Sequence, residues 1–444
     1  MKVYKNPHLV IEPIEGDFYV VVNTYINNGL KVINKPQFEI LKSIDNLKDI
    51  KTLAFQHNID ENVLMSLIDN FSQKEIVNYS GIFNSPVFDS EPKSLNLWIH
   101  TTNKCNLTCS YCYISTLQST GGMTKDTIQQ LGNKIEETVI KKRLRSVKLR
   151  LAGGEPLLQF KNWKEFIIEM KKRLNSINCK FNVAFLTNLT ILPDEILNFI
   201  IEEKIGLGIS LDGFDLYHDL TRQYHNGKGS FEKVDFNLRK LLENGLRPSV
   251  STVITNSNME GLPALTEYLL ELKIHFRFSI VHGEYIDRER LGKILDICYK
   301  LMEDEVEKGY NFSQLHRLCD LKRSDLFFQT CASGFSGGAV YVDGGMYFCH
   351  TNFGGETGKQ GSVFDDEDLI TMIGKGKPLV GKRSDDCLKC KYSYVCTSGC
   401  PIYRENGKDL SCQLYHEFLP KIYRLEGKQK LIKLKKQLSK QPQN

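Results

Sequence analysis

Three cysteines stand at spacings of four and three in Cys105-Asn106-Leu107-Thr108-Cys109-Ser110-Tyr111-Cys112. Thiolates so placed suit one loop wrapped around a single iron-sulfur cubane, binding three of its irons and leaving the fourth open. Structural zinc is the alternative, but zinc takes four ligands and the loop supplies no fourth. A second array lies far downstream: Cys331, Cys349, then Cys387-x2-Cys390-x5-Cys396-x3-Cys400, and Cys412. On spacing alone its four-cysteine core suits zinc ribbons as well as iron-sulfur clusters.

The chain around these motifs has 444 residues, 41% of them hydrophobic, which gives room for two or three cored domains. A formal charge of +5 is too mild to suggest nucleic-acid binding. Neither the first residues nor any later window carries an apolar run of signal-peptide or membrane-spanning length, so the expectation is a soluble, cytoplasmic protein. Cytosolic thiols are kept reduced, and metal ligation therefore leads as the explanation for 13 cysteines.

The elements that must position the motifs follow a βα rhythm from Leu95 onward. Six strands are expected, over Leu95 to His100, Val147 to Ala152, Phe181 to Thr187, Gly206 to Leu211, Pro248 to Ile254 and His275 to Val281. Helical patterns separate them, and the class is α/β, a partial (β/α)6 TIM-like barrel with its site at the carboxyl ends of the strands. The first cysteine loop leaves the first strand. Ala152-Gly153-Gly154-Glu155-Pro156 ends the second, Asn188 the third, and Ser210-Leu211-Asp212-Gly213 the fourth. Glycines there let backbone approach a ligand closely. Arg222 matches a carboxylate by two parallel hydrogen bonds, or is a solvated surface charge.

Residues 1–92 read as a winged-helix-like module and linker: a hairpin of Phe18 to Val22 and Leu30 to Ile33 turning at Asn27-Asn28-Gly29, then three helices. The barrel takes 93–320. Residues 321–420 form a further domain in which, from Cys331 to Cys412, glycine and cysteine are dense and regular structure is sparse, as in domains that rely on metal staples. Residues 421–444 form a basic helix or frayed tail.

Cys-x3-Cys-x2-Cys followed by aromatic Tyr113 resembles the radical S-adenosylmethionine (SAM) superfamily, and the barrel rhythm fits it. The resemblance implies a [4Fe-4S] cluster on Cys105, Cys109 and Cys112 whose open iron chelates SAM. It implies SAM contacts for Tyr113, Gly153, Gly154, Glu155, Asn188, Ser210 and Arg222, with Arg222 on the SAM carboxylate. Leu189 stands where the family often has glycine. The downstream cysteines resemble the SPASM domain, which implies two auxiliary [4Fe-4S] clusters. Cys331, Cys349 and Cys400 would hold the inner one, and Cys387, Cys390, Cys396 and Cys412 the outer one. Cys319 either completes the inner site or leaves an iron open to substrate. Cys179 and Cys298 read as core residues. His350 replaces the aspartate that sulfatase-activating relatives carry after the second cysteine.

The first module resembles the RiPP recognition element, which captures a peptide leader as an added edge strand; Glu61 to Phe71 would form the other wall of its groove. The implied function is a peptide maturase, with a precursor peptide and a flavodoxin- or ferredoxin-like electron donor as partners. It would install a thioether or carbon-carbon crosslink, an auxiliary cluster accepting the surplus electron. The alternatives are a maturase of a folded protein, a small-molecule enzyme, and a zinc-stabilised peptide-binding protein. No residue stands out as a catalytic acid or base.

Overall fold

The computed structural model describes residues 1–26, 28–45, 47–84, 86–117, 121–312, 321 and 329–439; Cys319, Asn27 of the expected turn and residues 440–444 of the tail lie outside them. At the amino end, β1 (Lys2–Lys5), β2 (Leu9–Pro13), β3 (Phe18–Asn23) and β4 (Leu30–Asn34) precede α1 (Lys35–Ser43), β5 (Leu47–Asp49), α2 (Ile50–His57), α3 (Glu61–Ser72) and β6 (Val77–Asn78). The expected hairpin is β3–β4, and two antiparallel sheets form, ordered β2-β3-β4 and β5-β1-β6. Strand β3 alternates faces with period two. Val21 joins Ile33, Leu41, Leu64 and Phe71 in the module's own core, while Val20 and Val22 face the core of the rest of the chain.

The barrel begins with β7 (Ser94–His100), β8 (Leu107–Cys109), α4 (Lys125–Lys142), β9 (Ser146–Ala152), α5 (Phe160–Ser176) and β10 (Lys180–Thr187). It continues through α6 (Asp194–Glu203), β11 (Gly206–Ser210), α7 (Leu216–Asp219), β12 (Arg222–Tyr224), α8 (Phe231–Glu243), β13 (Ser249–Ile254), α9 (Leu262–Glu271), β14 (His275–Ile280) and α10 (Arg288–Glu307). The six expected strands are parallel neighbours in the order β14-β13-β11-β10-β9-β7. Their alternate residues, such as Leu95, Leu97 and Ile99, are buried under the helices. Helix α5 presents Phe160, Trp163, Phe166, Ile167, Met170 and Leu174, the spacing of a single helical face.

The cysteine-rich region holds more regular structure than its composition led us to expect. It contains β15 (Gly337–Val340), β16 (Gly345–Tyr347), β17 (Lys359–Ser362), α11 (Leu369–Gly374), α12 (Asp385–Lys389), α13 (Ser393–Cys396) and α14 (Cys412–Leu438). Strand β15 pairs in parallel with β7, Ala339 opposite Trp98, so this region continues the barrel sheet past its first strand. The expected tail belongs to a 27-residue helix that buries Leu414, Phe418, Leu419, Ile422, Leu425 and Leu431. It packs against the β2-β3-β4 sheet so closely that a Cβ on Gly427 would stand 2.7 Å from Val20 Cβ. No described helix is long and apolar enough to cross a membrane.

Candidate active site

The loop bearing Cys105, Cys109 and Cys112 leaves β7 and is held from three sides. Gly154 N–H donates to the Thr102 carbonyl at 2.7 Å and Glu155 N–H to the Lys104 carbonyl at 2.9 Å. A Cβ on Gly154 would lie 2.1 Å from the Lys104 oxygen, and one on Gly153 (φ +141°) 2.5 Å from the Thr102 oxygen. The double glycine is therefore required by backbone packing against the cysteine loop itself. On the second side, the short ribbon β8–β12 sets Arg222 opposite Cys109. On the third, Asn188 Nδ2 donates to Asn106 Oδ1 at 3.0 Å and approaches Cys105 Sγ at 3.7 Å.

Glu155 is fully buried, and its carboxylate accepts from Leu157 N–H (3.1 Å), Thr187 Oγ1 (2.7 Å) and Asn188 N–H (2.8 Å). Burial lifts its pKa to about 7 against those hydrogen bonds and the charge of Arg222. Arg222 is 8% exposed, which removes the surface-charge alternative. Its Nε donates to Asp212 Oδ2 at 2.7 Å, its Nη2 to Tyr111 Oη, and its Nη1 reaches Cys109 Sγ at 3.6 Å. Asp212 also accepts from Tyr111 Oη, from Thr221 Oγ1 at 3.1 Å and from Val253 N–H at 3.0 Å. Tyr111 and Asp212 escaped selection in the sequence, although both sit inside motifs already singled out there. Ser210, half-buried, closes β11.

Cys109 and Cys112 raise the pKa of Cys105 through space, and Cys112 that of Cys109. Burial is the larger cause, pushing Cys105 up to about 12 and Cys109 upward against the pull of Arg222. Buried thiols become thiolates only beside positive charge, which the irons of a cluster would supply. With Leu107 N–H (3.4 Å), Asn188 and Arg222 as donors to sulfur, the loop fits a cluster ligated at three corners.

The seven downstream cysteines separate into two neighbourhoods. Cys400 is influenced by Cys331 and Cys349, and Cys349 by Cys331. Cys396 is influenced by Cys412 and Cys387, and Cys412 by Cys387 and Cys390. Arg383 ties the second loop by donating to Ser398 Oγ (2.7 Å) and to Ser393 O (3.1 Å). The described cysteines form no disulfide, and Cys179 and Cys298 are buried core residues. Among the described residues no three His, Cys, Asp or Glu side chains converge on a single-ion point.

The first neighbourhood faces the barrel mouth. Tyr113 Oη pairs with His350 Nδ1 at 3.1 Å, and His350 stacks on Trp98 of β7 with centroids 4.1 Å apart. At the opposite edge of the six-stranded sheet, His282 beyond β14 stacks on Tyr403 at 4.4 Å. Tyr403 itself feels Cys349 and Cys400. Two aromatic pairs thus join both barrel edges to the Cys331–Cys349–Cys400 group. The hydroxyl of Tyr113, a residue expected against SAM, is engaged by His350.

Residues 99–269 match the Radical SAM superfamily model, so this stretch of the chain is a radical SAM domain, of the kind that uses a [4Fe-4S] cluster and SAM. It is similar to protein MJ0907 of Methanocaldococcus jannaschii, 32% identical over 39% of this chain and 58% of that one, so the chain spans less than two thirds of that relative. It is also similar to a cysteine-type anaerobic sulfatase-maturating enzyme of Clostridium perfringens (strain 13 / Type A), 24% identical over 71% of this chain and 92% of the other. The same fold occurs in native anSMEcpe with bound AdoMet, at TM-score 0.64 and 21% identity, covering 76% of this chain and all of that one. It occurs again in Streptococcus suis SuiB bound to precursor peptide SuiA, at TM-score 0.51 and 16% identity, covering 93% and 100%.

Proposed function

We propose that this enzyme modifies a ribosomally made precursor peptide, closing a thioether or carbon-carbon crosslink in it. The observation that carries the reading is the placement of the Cys331–Cys349–Cys400 group across the barrel mouth from the Cys105–Cys112 loop, through Tyr113–His350 and His282–Tyr403. Cys105, Cys109 and Cys112 would hold the SAM-binding cluster; Cys331, Cys349 and Cys400 the inner auxiliary one; and Cys387, Cys390, Cys396 and Cys412 the outer. When bound, the first cluster and SAM supply a 5'-deoxyadenosyl radical that removes a hydrogen atom from the substrate.

The chain's own residues prepare that chemistry. Gly153 and Gly154 set the loop against β9, Asn188 and Arg222 direct donors at its sulfurs, and Asp212 fixes Arg222. Trp98, Tyr113 and His350, packed on one another beside both cysteine groups, would meet a substrate side chain that reaches between them. The similarity to SuiB, bound to a precursor peptide, supports a peptide substrate, since 93% coverage leaves too little of the chain uncovered to omit the first module. Strand β4 would receive the leader, with α3 as the other wall. We assign the enzyme to the cytoplasm, with a flavodoxin- or ferredoxin-like protein as reductant.

Anaerobic incubation with SAM, reductant and a candidate precursor tests the reading by mass spectrometry. A loss of two hydrogens per crosslink is expected. Unchanged peptide mass alongside abundant 5'-deoxyadenosine would overturn it and favour the folded-protein substrate of the sulfatase-maturating relatives.

A further inference from the structure

The geometry points to an acidic segment as the part of the leader that strand β4 receives, seated by Lys31, Lys74 and Lys430 beside an apolar groove. This deepens the peptide-maturase reading and rests on it. Strand β4 is an edge of the β2-β3-β4 sheet. The bond from Asn23 N–H to the Gly29 carbonyl fixes the alternation, so Gly29, Lys31 and Ile33 pair with β3 while the amides of Leu30 and Val32 face outward. An extended peptide can add there without displacing any part of the sheet, by taking the outward Leu30 carbonyl over from Lys430 Nζ.

The chemistry along that edge changes over a few residues. At its start, Lys31 and Lys430 spend their ammonium groups on the backbone carbonyls of Asn70 (3.3 Å) and Leu30 (2.8 Å). Among the described residues none of the three lysines bridges to a carboxylate. They crowd one another instead: burial first, then Lys430 and Lys74, depress the Lys31 ammonium, and burial with Lys74 depresses Lys430. Half-buried like charges without counter-ions form a standing unfavourable interaction that an anionic ligand relieves. Toward the far end, a cavity of about 310 Å³ opens among Phe18, Val32, Ile33, Leu431, Leu434 and Leu438. Leu434 and Leu438, from α14, are 39% and 69% exposed. At about 3.3 Å per residue of added strand, a glutamate or aspartate over the lysines would place an apolar side chain about two to four residues away in this cavity. The carboxyl-terminal helix therefore supplies half of the recognition surface, Lys430 and Leu434 lying one turn apart on it.

The probe is a phage-displayed random peptide library, panned anaerobically on the iron-loaded, full-length chain. We expect selected peptides to carry Asp or Glu next to an apolar residue, and synthetic copies to bind about tenfold or more weakly to K31E/K74E/K430E, and more weakly in high salt. Single K430Q and K74Q variants, checked for unchanged iron content and circular dichroism, guard against misfolding of the triple variant. V32P removes an outward N–H, which an edge strand tolerates, and V32A, which keeps that N–H, controls for the Val32 side chain lost from the cavity, so the pair separates the two readings. If V32P abolishes binding of peptides that lack any acidic preference, the charge inference falls and peptide docking stands. If no selected peptide is sensitive to V32P, docking on β4 falls with it. A dimer of the chain that V32P dissociates would also overturn the proposal, by making a second copy the occupant.

Discussion

Arg222 stands opposite Cys109 in the β8–β12 ribbon with Nη1 3.6 Å from the cysteine sulfur, while its Nε is bonded to the buried carboxylate of Asp212. One guanidinium thus serves a thiol that must ionise and a carboxylate that has no access to water. Replacing it by alanine leaves Asp212 buried without its cation. R222A should lose about 3–5 kcal/mol of stability and hold less iron, measured by urea unfolding and iron assay. R222K, which cannot span Asp212, Tyr111 and Cys109 together, should recover only part of either.

Gly154 tests whether the double glycine serves the fold of the cysteine loop. G154A would push a methyl group against the Lys104 carbonyl, so the loop must shift. The expected cost is about 2–4 kcal/mol with selective loss of the first cluster's spectroscopic signal. G227A is the control: φ is +81° there and the space is open, so only backbone strain of about 1 kcal/mol should appear, with iron retained.

Glu155 gives the stability a defined pH dependence. Its pKa is about 7 in the folded chain, chiefly through burial, against about 4.3 when unfolded. A raised folded pKa means a contribution that is complete below pH about 4 and lost as pH rises through about 7. Compared with E155Q, the iron-free protein should therefore gain up to about 3 kcal/mol as pH falls from 8 to 5. Parallel pH profiles of the two proteins would contradict this.

The two downstream neighbourhoods should be separable by iron counting. From about twelve irons per chain, C387A/C396A should leave about eight and spare the signal of the Cys331–Cys349–Cys400 site; C331A/C349A should do the reverse. Zinc in place of iron at either site, in anaerobically purified protein, would sink the auxiliary-cluster assignment.

Legibility tracked the range of the interactions involved. The β7, β9 and β10 strands and the α5 face were readable because burial on one side imposes a period on neighbouring residues. Strand β15 was not: Gly337-Gly338-Ala339-Val340 carries no alternation and becomes a strand only because β7 offers it an unpaired edge. Helix α14 looked like a tail because its polar residues interrupt its apolar face. Lys428 is nonetheless buried, paired with Glu303 at 3.2 Å and with Glu307 from α10.

By itself the sequence determined which atoms are available: three thiols in one loop, seven more downstream, a double glycine after a strand, and six strands in βα order. Those follow from covalent spacing and local periodicity, which act over a few residues. Only the tertiary structure decided what faces what. It aimed Arg222 at Cys109 and Asp212, turned Gly154 against Lys104, brought His350 to Tyr113 beside β7, and laid Lys430 along β4. Such pairings join residues up to 400 positions apart, and no local pattern records them, because they are chosen by burial and backbone sterics acting on the whole chain at once.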